Sequence, residues 1–171
     1  MCLMTTKDVK LRWPFLDLQL TEHFNLAEFI QTDQSFKLQE SNVHRFRLEE
    51  IKLTSQFTFI SCFLERLRKH AQQSIHVTSG LRTRSLNSAV GGSTSSRHLV
   101  GLAVDIMSVN MDILDTALTD LLQVYSHLLH EVHFHDTYIH LSFKAVLEHG
   151  DVPKIRDFRS KEFRKSIKYS L

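Results

Sequence analysis

Residues 96–105 read Ser-Arg-His-Leu-Val-Gly-Leu-Ala-Val-Asp, a stretch of the form S-x-H-x-x-G-x-A-x-D. The pattern places the imidazole of His98 and the carboxylate of Asp105 seven residues apart, with a glycine and an alanine between them. A second histidine, His140, lies downstream in the strand-like run Tyr-Ile-His-Leu-Ser-Phe of residues 138–143. These three side chains are the leading candidates for chemistry, and the rest of the chain is interpreted around them.

Together the three side chains offer two imidazole nitrogens and one carboxylate oxygen. This donor set suits Zn2+ and leaves a fourth position open, whereas a structural zinc site is closed, usually by cysteine. An open position is the arrangement that activates water for hydrolysis. Gly101 and Ala103 are small, so we expect backbone and substrate to come close to the metal. Other divalent ions would also accept these ligands. The alternative is that His98 and Asp105 form an ordinary hydrogen-bonded pair beside a turn.

Composition indicates one ordinary globular domain. The chain has 171 residues, of which 42% are hydrophobic and 23% charged, and its formal net charge is only +2. That charge does not require a polyanionic partner, and we expect a monomer. Cys2 and Cys62 do not make a disulfide framework, and Cys62 lies in an apolar helical run where we expect a buried thiol.

The start of the chain shows no signal peptide. The first ten residues lack a continuous apolar stretch and carry charges early. No run approaches the ~20 apolar residues that span a bilayer. We therefore expect cytoplasmic synthesis without a signal peptide and without a membrane span.

Hydrophobic periodicity divides the chain into elements. We interpret residues 1–20 as an N-terminal arm, 21–150 as the main domain and 151–171 as a basic C-terminal tail. Within the domain the patterns predict a polar loop at residues 32–45, a helix at 47–70 and a strand at 75–78. They then predict a long functional loop at 81–97, a second strand at 103–106 and a second helix at 111–129.

Residues 130–143 alternate with period two, which is typical of a half-buried hairpin. With a tight turn at Asp136-Thr137, one face is apolar and belongs in the core. The other face is polar and contains Glu131, His133, His135, Tyr138, His140 and Ser142. A three-residue loop would shift the pairing by one residue, and a merely solvent-facing polar surface is the alternative to a site.

The stretch from Ser79 to Ser93, the motif at 96–105 and the late Tyr-Ile-His at 138–140 resemble the zinc peptidases that cut cell-wall peptides. These are the D-alanyl-D-alanine carboxypeptidases, D,D-dipeptidases and L-alanyl-D-glutamate endopeptidases. The resemblance is closest to their small, phage-type branch. It covers roughly residues 20–145 and includes an opening similar to residues 20–29.

The resemblance implies an α+β fold, with a small antiparallel sheet flanked by helices and the metal on the face of the sheet. It implies His98, Asp105 and His140 as zinc ligands and a substrate-binding or carbonyl-polarising role for Arg82. A guanidinium suits that role because it presents paired donors to an oxyanion. The implied substrate is a peptidoglycan stem peptide that contains a D-amino acid.

The general base is where this chain departs from the clearer members of that group. They carry an acid or histidine a short fixed distance before the last ligand, often three residues, and here that position is Thr137. Glu131 matches the acid that phage-type members carry on the preceding strand, and we favour it as the base. His133 and His135 share its face and are second candidates, for stabilising the transition state or moving a proton.

The setting and the tail leave alternatives open. A phage enzyme released to act on the cell wall and a cytoplasmic recycling enzyme both fit a chain without an export signal. Residues 152–171 hold seven basic side chains against two acidic ones, a patch that could bind nucleic acid, an anionic envelope or a capsid. The alternative function is thus a non-catalytic zinc-site module that binds through this tail.

Overall fold

The computed structural model describes residues 12–145 and 153–159. Its α-helices are α1 (Leu26–Ile30), α2 (Phe36–Leu48), α3 (Glu50–Ala71), α4 (Arg84–Ala89) and α5 (Met111–Tyr125). Three short 3-10 segments lie at Pro14–Asp17, Arg97–Val100 and Ser126–Leu128. The strands are β1 (His76–Ser79), β2 (Ala103–Met107), β3 (Leu129–Phe134), β4 (Ile139–Phe143) and β5 (Lys154–Asp157).

The five strands form one sheet in the order β1-β2-β4-β3-β5. The first three pairings are antiparallel, and only β5 pairs in parallel, with β3. Apolar side chains of one sheet face and of helices α3 and α5 form a single core. The expected α+β fold, with a small and mostly antiparallel sheet flanked by helices, is confirmed.

The register of the β3–β4 hairpin is the one that the alternation predicts. His133 lies opposite His140 and Glu131 lies opposite Ser142, and the backbone N–H of His135 donates to the carbonyl of Tyr138 across the turn. The apolar face, which includes Val132 and Leu141, is buried in the core. The polar face is therefore left to carry the candidate site.

Helix α3 follows the predicted apolar stripe, but the segment before it is not the polar loop that we expected. Residues 36–48 are helical, and their buried face mixes the polar Gln39 and Asn42 with the apolar Val43 and Phe46. The side-chain amide of Asn42 donates to the carbonyls of Ile30 and Leu81, at 3.2 and 2.8 Å. Because buried positions of this helix carry amides that bind loop carbonyls, the helix lacks the regular apolar periodicity on which the prediction relied.

Other expectations also need correction. Cys62 is exposed rather than buried. Gly101 packs against helix α3: its φ is +71°, and an added Cβ would lie 2.5 Å from Cδ2 of Leu53 on that helix. Glycine is required there for its backbone and for this close helix packing. The long loop contains helix α4, which begins after Thr83, whose hydroxyl accepts from the backbone N–H of Leu86.

Described residues near both chain ends pack against the rest of the domain. Leu16 is fully buried, and the ring of Trp13 stacks on Phe36. Residues 154–157, from the predicted tail, form strand β5, while 160–171 lie outside the described residues. The division into arm, domain and tail stays a prediction. None of the described helices is both long enough and apolar enough to cross a membrane.

Candidate metal centre

Three donor atoms converge on the polar face of the sheet. His98 Nε2 lies 3.2 Å from His140 Nδ1 and 3.3 Å from Asp105 Oδ1, and the last two atoms are 2.8 Å apart. A tetrahedral Zn2+ with bonds of about 2.0–2.1 Å holds its ligand atoms roughly 3.3 Å apart. The triangle therefore has nearly the dimensions of one face of such a site. Within the described part of the chain, this is the group of histidine, cysteine and acidic side chains that could hold a metal ion.

His98 is oriented by a backbone carbonyl. It sits in the 3-10 segment before β2 and is 1% exposed. Its Nδ1 lies 2.6 Å from the carbonyl oxygen of Gly80, so Nδ1–H donates there and the lone pair of Nε2 faces the triad. Burial lowers the pKa of His98, which keeps the ring neutral. A neutral imidazole fixed by its second nitrogen is the form in which histidine binds a metal.

Asp105 occupies the middle of the triad because β2 pairs with β4. Its register partner is His140, which brings Oδ1 against the imidazole. Although burial by itself raises the pKa of Asp105, its contacts with His140 and His98 hold that pKa well below the ordinary value. The carboxylate is therefore ionised and provides one negative charge at the centre.

Arg82 binds the outer oxygen of the same carboxylate. Its Nη2 donates to Asp105 Oδ2, and its Nε donates to the hydroxyl of Ser79 at 2.9 Å. The side chain is only 14% exposed. The two contacts leave Oδ1 facing the two imidazoles, so Arg82 orients the carboxylate of a candidate metal ligand. The predicted contact between Arg82 and the substrate stays a prediction.

Glu131 and His133 lie beside the triad on β3. Glu131 Oε2 is 3.3 Å from His133 Nε2, and the ring centroid of His133 is 5.1 Å from that of His140. Burial lowers the pKa of His133, and the neighbouring His140 lowers it further. The carboxylate of Glu131 is also approached by the cations of Lys154 and Arg156, at 4.0 and 3.9 Å.

His135 is placed differently from His133. Its ring stacks on Tyr138 with centroids 4.2 Å apart, and on its other neighbour, Phe158, at 5.1 Å. Burial lowers the pKa of His135. This three-ring stack holds the imidazole two residues beyond His133. By register, Glu131 and His135 flank His133 at equal spacing, and the ring of His133 packs beside that of His140.

His98 and His140 of the triad line a cavity of about 630 Å3, whose lining also includes all four side chains that we proposed for catalysis, Arg82, Glu131, His133 and His135. The residues fit a bound metal: two imidazoles and one carboxylate meet at a point, and His98 and Asp105 are each held by a partner outside the triad. Such outer partners are typical of metal ligands.

Sequence reasoning missed the outer partners and the wall that β5 builds. Gly80 and Ser79 act through a carbonyl and a hydroxyl, which leave no recognisable pattern. The cations at 154 and 156 do follow period two around Ile155, a signal that could have indicated a strand. Their place next to β3 depends on a long-range parallel pairing that no local pattern reveals.

Comparison with known proteins agrees with this geometry. The family model described as Peptidase M15 matches residues 22–142. The matched span includes the three triad residues and all four candidate catalytic side chains. A comparison with curated proteins gives no significant match. The matching family comprises zinc peptidases that act on peptidoglycan-type substrates. Because the match covers well over half of the chain, this protein belongs to the peptidase M15 family of metallopeptidases.

Proposed function

We propose that this protein hydrolyses short peptidoglycan stem peptides that contain D-amino acids, with Zn2+ held by His98, Asp105 and His140. The observation that carries the proposal is the convergence of these three donor atoms beside the pair formed by Glu131 and His133. A three-ligand site with an adjacent proton acceptor is the arrangement of a hydrolytic metal centre.

The metal contributes Lewis acidity, which makes water nucleophilic near neutral pH. The protein's part is to hold the three ligands in place. Gly80 fixes the ring of His98 through Nδ1. Arg82 fixes the carboxylate of Asp105 through Oδ2. These contacts set the donor atoms before any metal binds, which reduces the cost of ordering them.

Glu131 is the proposed general base. Its carboxylate accepts a proton from the attacking water and returns it to the amine that leaves. His133, whose Nε2 lies 3.3 Å from Glu131 Oε2, is the second candidate, for moving a proton or stabilising the transition state. Arg82, beside the same cavity, is the proposed partner for the scissile carbonyl or a substrate carboxylate, in addition to its contact with Asp105.

The deciding experiment compares metal content and peptide cleavage in the wild type and in His98→Ala. We expect about one zinc per chain in the wild type, lost in the variant together with cleavage of a stem pentapeptide followed by mass spectrometry. His44→Ala, which removes an exposed histidine from helix α2, is the matched control and should keep both properties. The masses of the products identify the bond.

Two results would contradict the proposal. Zinc bound without cleavage of any stem peptide would favour the non-catalytic module that binds through the basic residues after 152. Absence of bound metal in the wild type, with zinc supplied in the medium, would remove the basis of the hydrolytic assignment.

A further inference from the structure

Strand β5 adds two cations to the side of the sheet that carries the metal centre. Its parallel register with β3 pairs Lys154 with Glu131 and Arg156 with His133. Side chains two residues apart on a strand share a face. Lys154 and Arg156 therefore stand on the face of the candidate base, and both line the cavity that contains His140.

A buried ion-pair cluster fixes this strand in place. The side chain of Arg159 is fully buried. Its guanidinium donates to Asp157 at 2.8 and 2.7 Å and to Asp115 of helix α5. Next to it, the ring of Phe158 packs against His133 with centroids 5.4 Å apart. The two cations of β5 are thus presented by an anchored strand.

The charges near β5 are not balanced within the site. Among the residues that the structure describes, Glu131 is the carboxylate within 4.0 Å of either cation. Those contacts, at 4.0 and 3.9 Å, are longer than hydrogen bonds, and Glu131 also faces His133. The side chains of Lys154 and Arg156 are 65% and 52% exposed. Their N–H donors can therefore reach an anion in the cavity.

The spacing between neighbouring strands gives the distance between such an anion and the bond that is cleaved. Strands β4, β3 and β5 are consecutive neighbours, and at about 4.8 Å per strand the backbones of His140 and Arg156 are roughly 10 Å apart. An extended peptide advances about 3.3–3.6 Å per residue. A group bound by these cations is therefore two to three residues away from a bond cleaved at the triad.

We propose that Lys154 and Arg156 form a subsite for a carboxylate of the peptide substrate, two to three residues from the scissile bond. This inference rests on the proposed function, since it names the part of the substrate that the same cavity selects. It gives the beginning of the basic C-terminal segment a role in the choice of peptide. A neutral dipeptide, which cannot reach the subsite, is then a poor ligand.

The test measures binding, so that it does not depend on turnover. The probe is the stem peptide L-Ala–γ-D-Glu–L-Lys–D-Ala–D-Ala with ketomethylene isosteres at the L-Ala–D-Glu and D-Ala–D-Ala bonds. It is compared with the same compound amidated at both free carboxylates. Titration calorimetry with zinc-loaded wild-type protein gives the ratio of the two Kd values. Cleavage of the unmodified peptide, assayed in the same preparation, tests the proposed function separately.

In the wild type we expect the free carboxylates to improve affinity, and K154M/R156M should reduce that preference by roughly five- to tenfold. The charge-preserving exchange K154R/R156K and the control K37M/K69M, which removes two exposed lysines elsewhere, should keep it. Equal affinity of the wild type for both probes, absence of binding of either probe, or an undiminished preference in K154M/R156M would overturn the inference.

Discussion

Asp105 lies directly opposite His140 in the antiparallel pairing of β2 and β4, and its Oδ1 atom is 2.8 Å from His140 Nδ1. The pairing of two short strands thus sets one edge of the candidate metal centre, and the buried His98 completes it from the 3-10 segment before β2. The outer oxygen of Asp105 is bound by Arg82. This division of the carboxylate between a metal-facing and an arginine-facing oxygen leads to the first prediction.

Replacement of Arg82 by Met should weaken zinc binding about 10–100-fold, the usual effect of losing an outer partner of a metal ligand. Without the guanidinium, Oδ2 loses its donor and the carboxylate is free to rotate. Arg82→Lys should recover only part of the zinc affinity, because one ammonium cannot contact both Ser79 and Asp105. Competition with a fluorescent chelator measures the affinity. Wild-type zinc affinity in Arg82→Met, combined with a raised KM, would mean that Arg82 serves the substrate alone.

Replacement of Glu131 by Gln should abolish most cleavage while zinc stays bound. The amide keeps the shape but cannot accept a proton, and loss of a general base costs about 10²–10⁴-fold in rate. Metal analysis and kcat on a stem peptide give both quantities, with Glu22→Gln at an exposed site as control. His133→Asn should lose less. A greater loss in His133→Asn than in Glu131→Gln would assign the base to the histidine.

The triad and the hairpin could be predicted because short-range patterns determine them. The motif at 96–105 contains two of the three residues that could hold a metal ion, and period-two alternation predicts that His133 faces His140, as the register confirms. Helix α2 could not be predicted from apolar periodicity, because its buried face uses Gln39 and Asn42 to bind backbone carbonyls. Tertiary hydrogen bonds of this kind have no local signature.

Strand β5 escaped prediction for a different physical reason. A parallel partner is distant in sequence, and the basic residues around Ile155 resemble a solvated tail. Its position depends on Arg159. The guanidinium can be buried because it forms ion pairs with Asp115 and Asp157. A charged residue is expected at the surface, so the sequence alone would not predict that Arg159 is buried.

Removal of the metal should lower the thermal stability of the protein. A ligand that binds only the folded state at 100 times its Kd contributes about 2.7 kcal/mol, which corresponds to a Tm change of roughly 5–10 °C for a domain of this size. Differential scanning calorimetry with and without a chelator measures the shift. His98→Ala should show no further decrease on chelation. An unchanged Tm in the wild type would indicate that metal and folding are not coupled.

Replacement of Arg159 by Met should destabilise the protein more than any change at the metal centre. It leaves Asp115 buried without its guanidinium partner, and breaking a buried pair costs about 3–5 kcal/mol. Denaturant unfolding monitored by circular dichroism measures the free energy of unfolding. Arg159→Met combined with Asp115→Leu should recover much of the loss, since both charges are then absent. A loss below about 1 kcal/mol in the single variant, the range of exposed pairs, would show that the pair does not hold β5.

The same pair predicts a pH dependence. Burial raises the pKa of Asp115 to about 7, although the neighbouring Arg159 acts to lower it. A carboxyl whose pKa is higher in the folded protein than in the unfolded chain is favoured as the acid. Its contribution to stability is complete below the unfolded value of about 3.9 and is lost as the pH rises through 7. Without Arg159 the ionised form is opposed more strongly, so the destabilisation of Arg159→Met should increase between pH 5 and pH 8. Unfolding free energies of wild type and variant at both pH values measure it, and a constant difference between them would contradict the action of Arg159 on the pKa of Asp115.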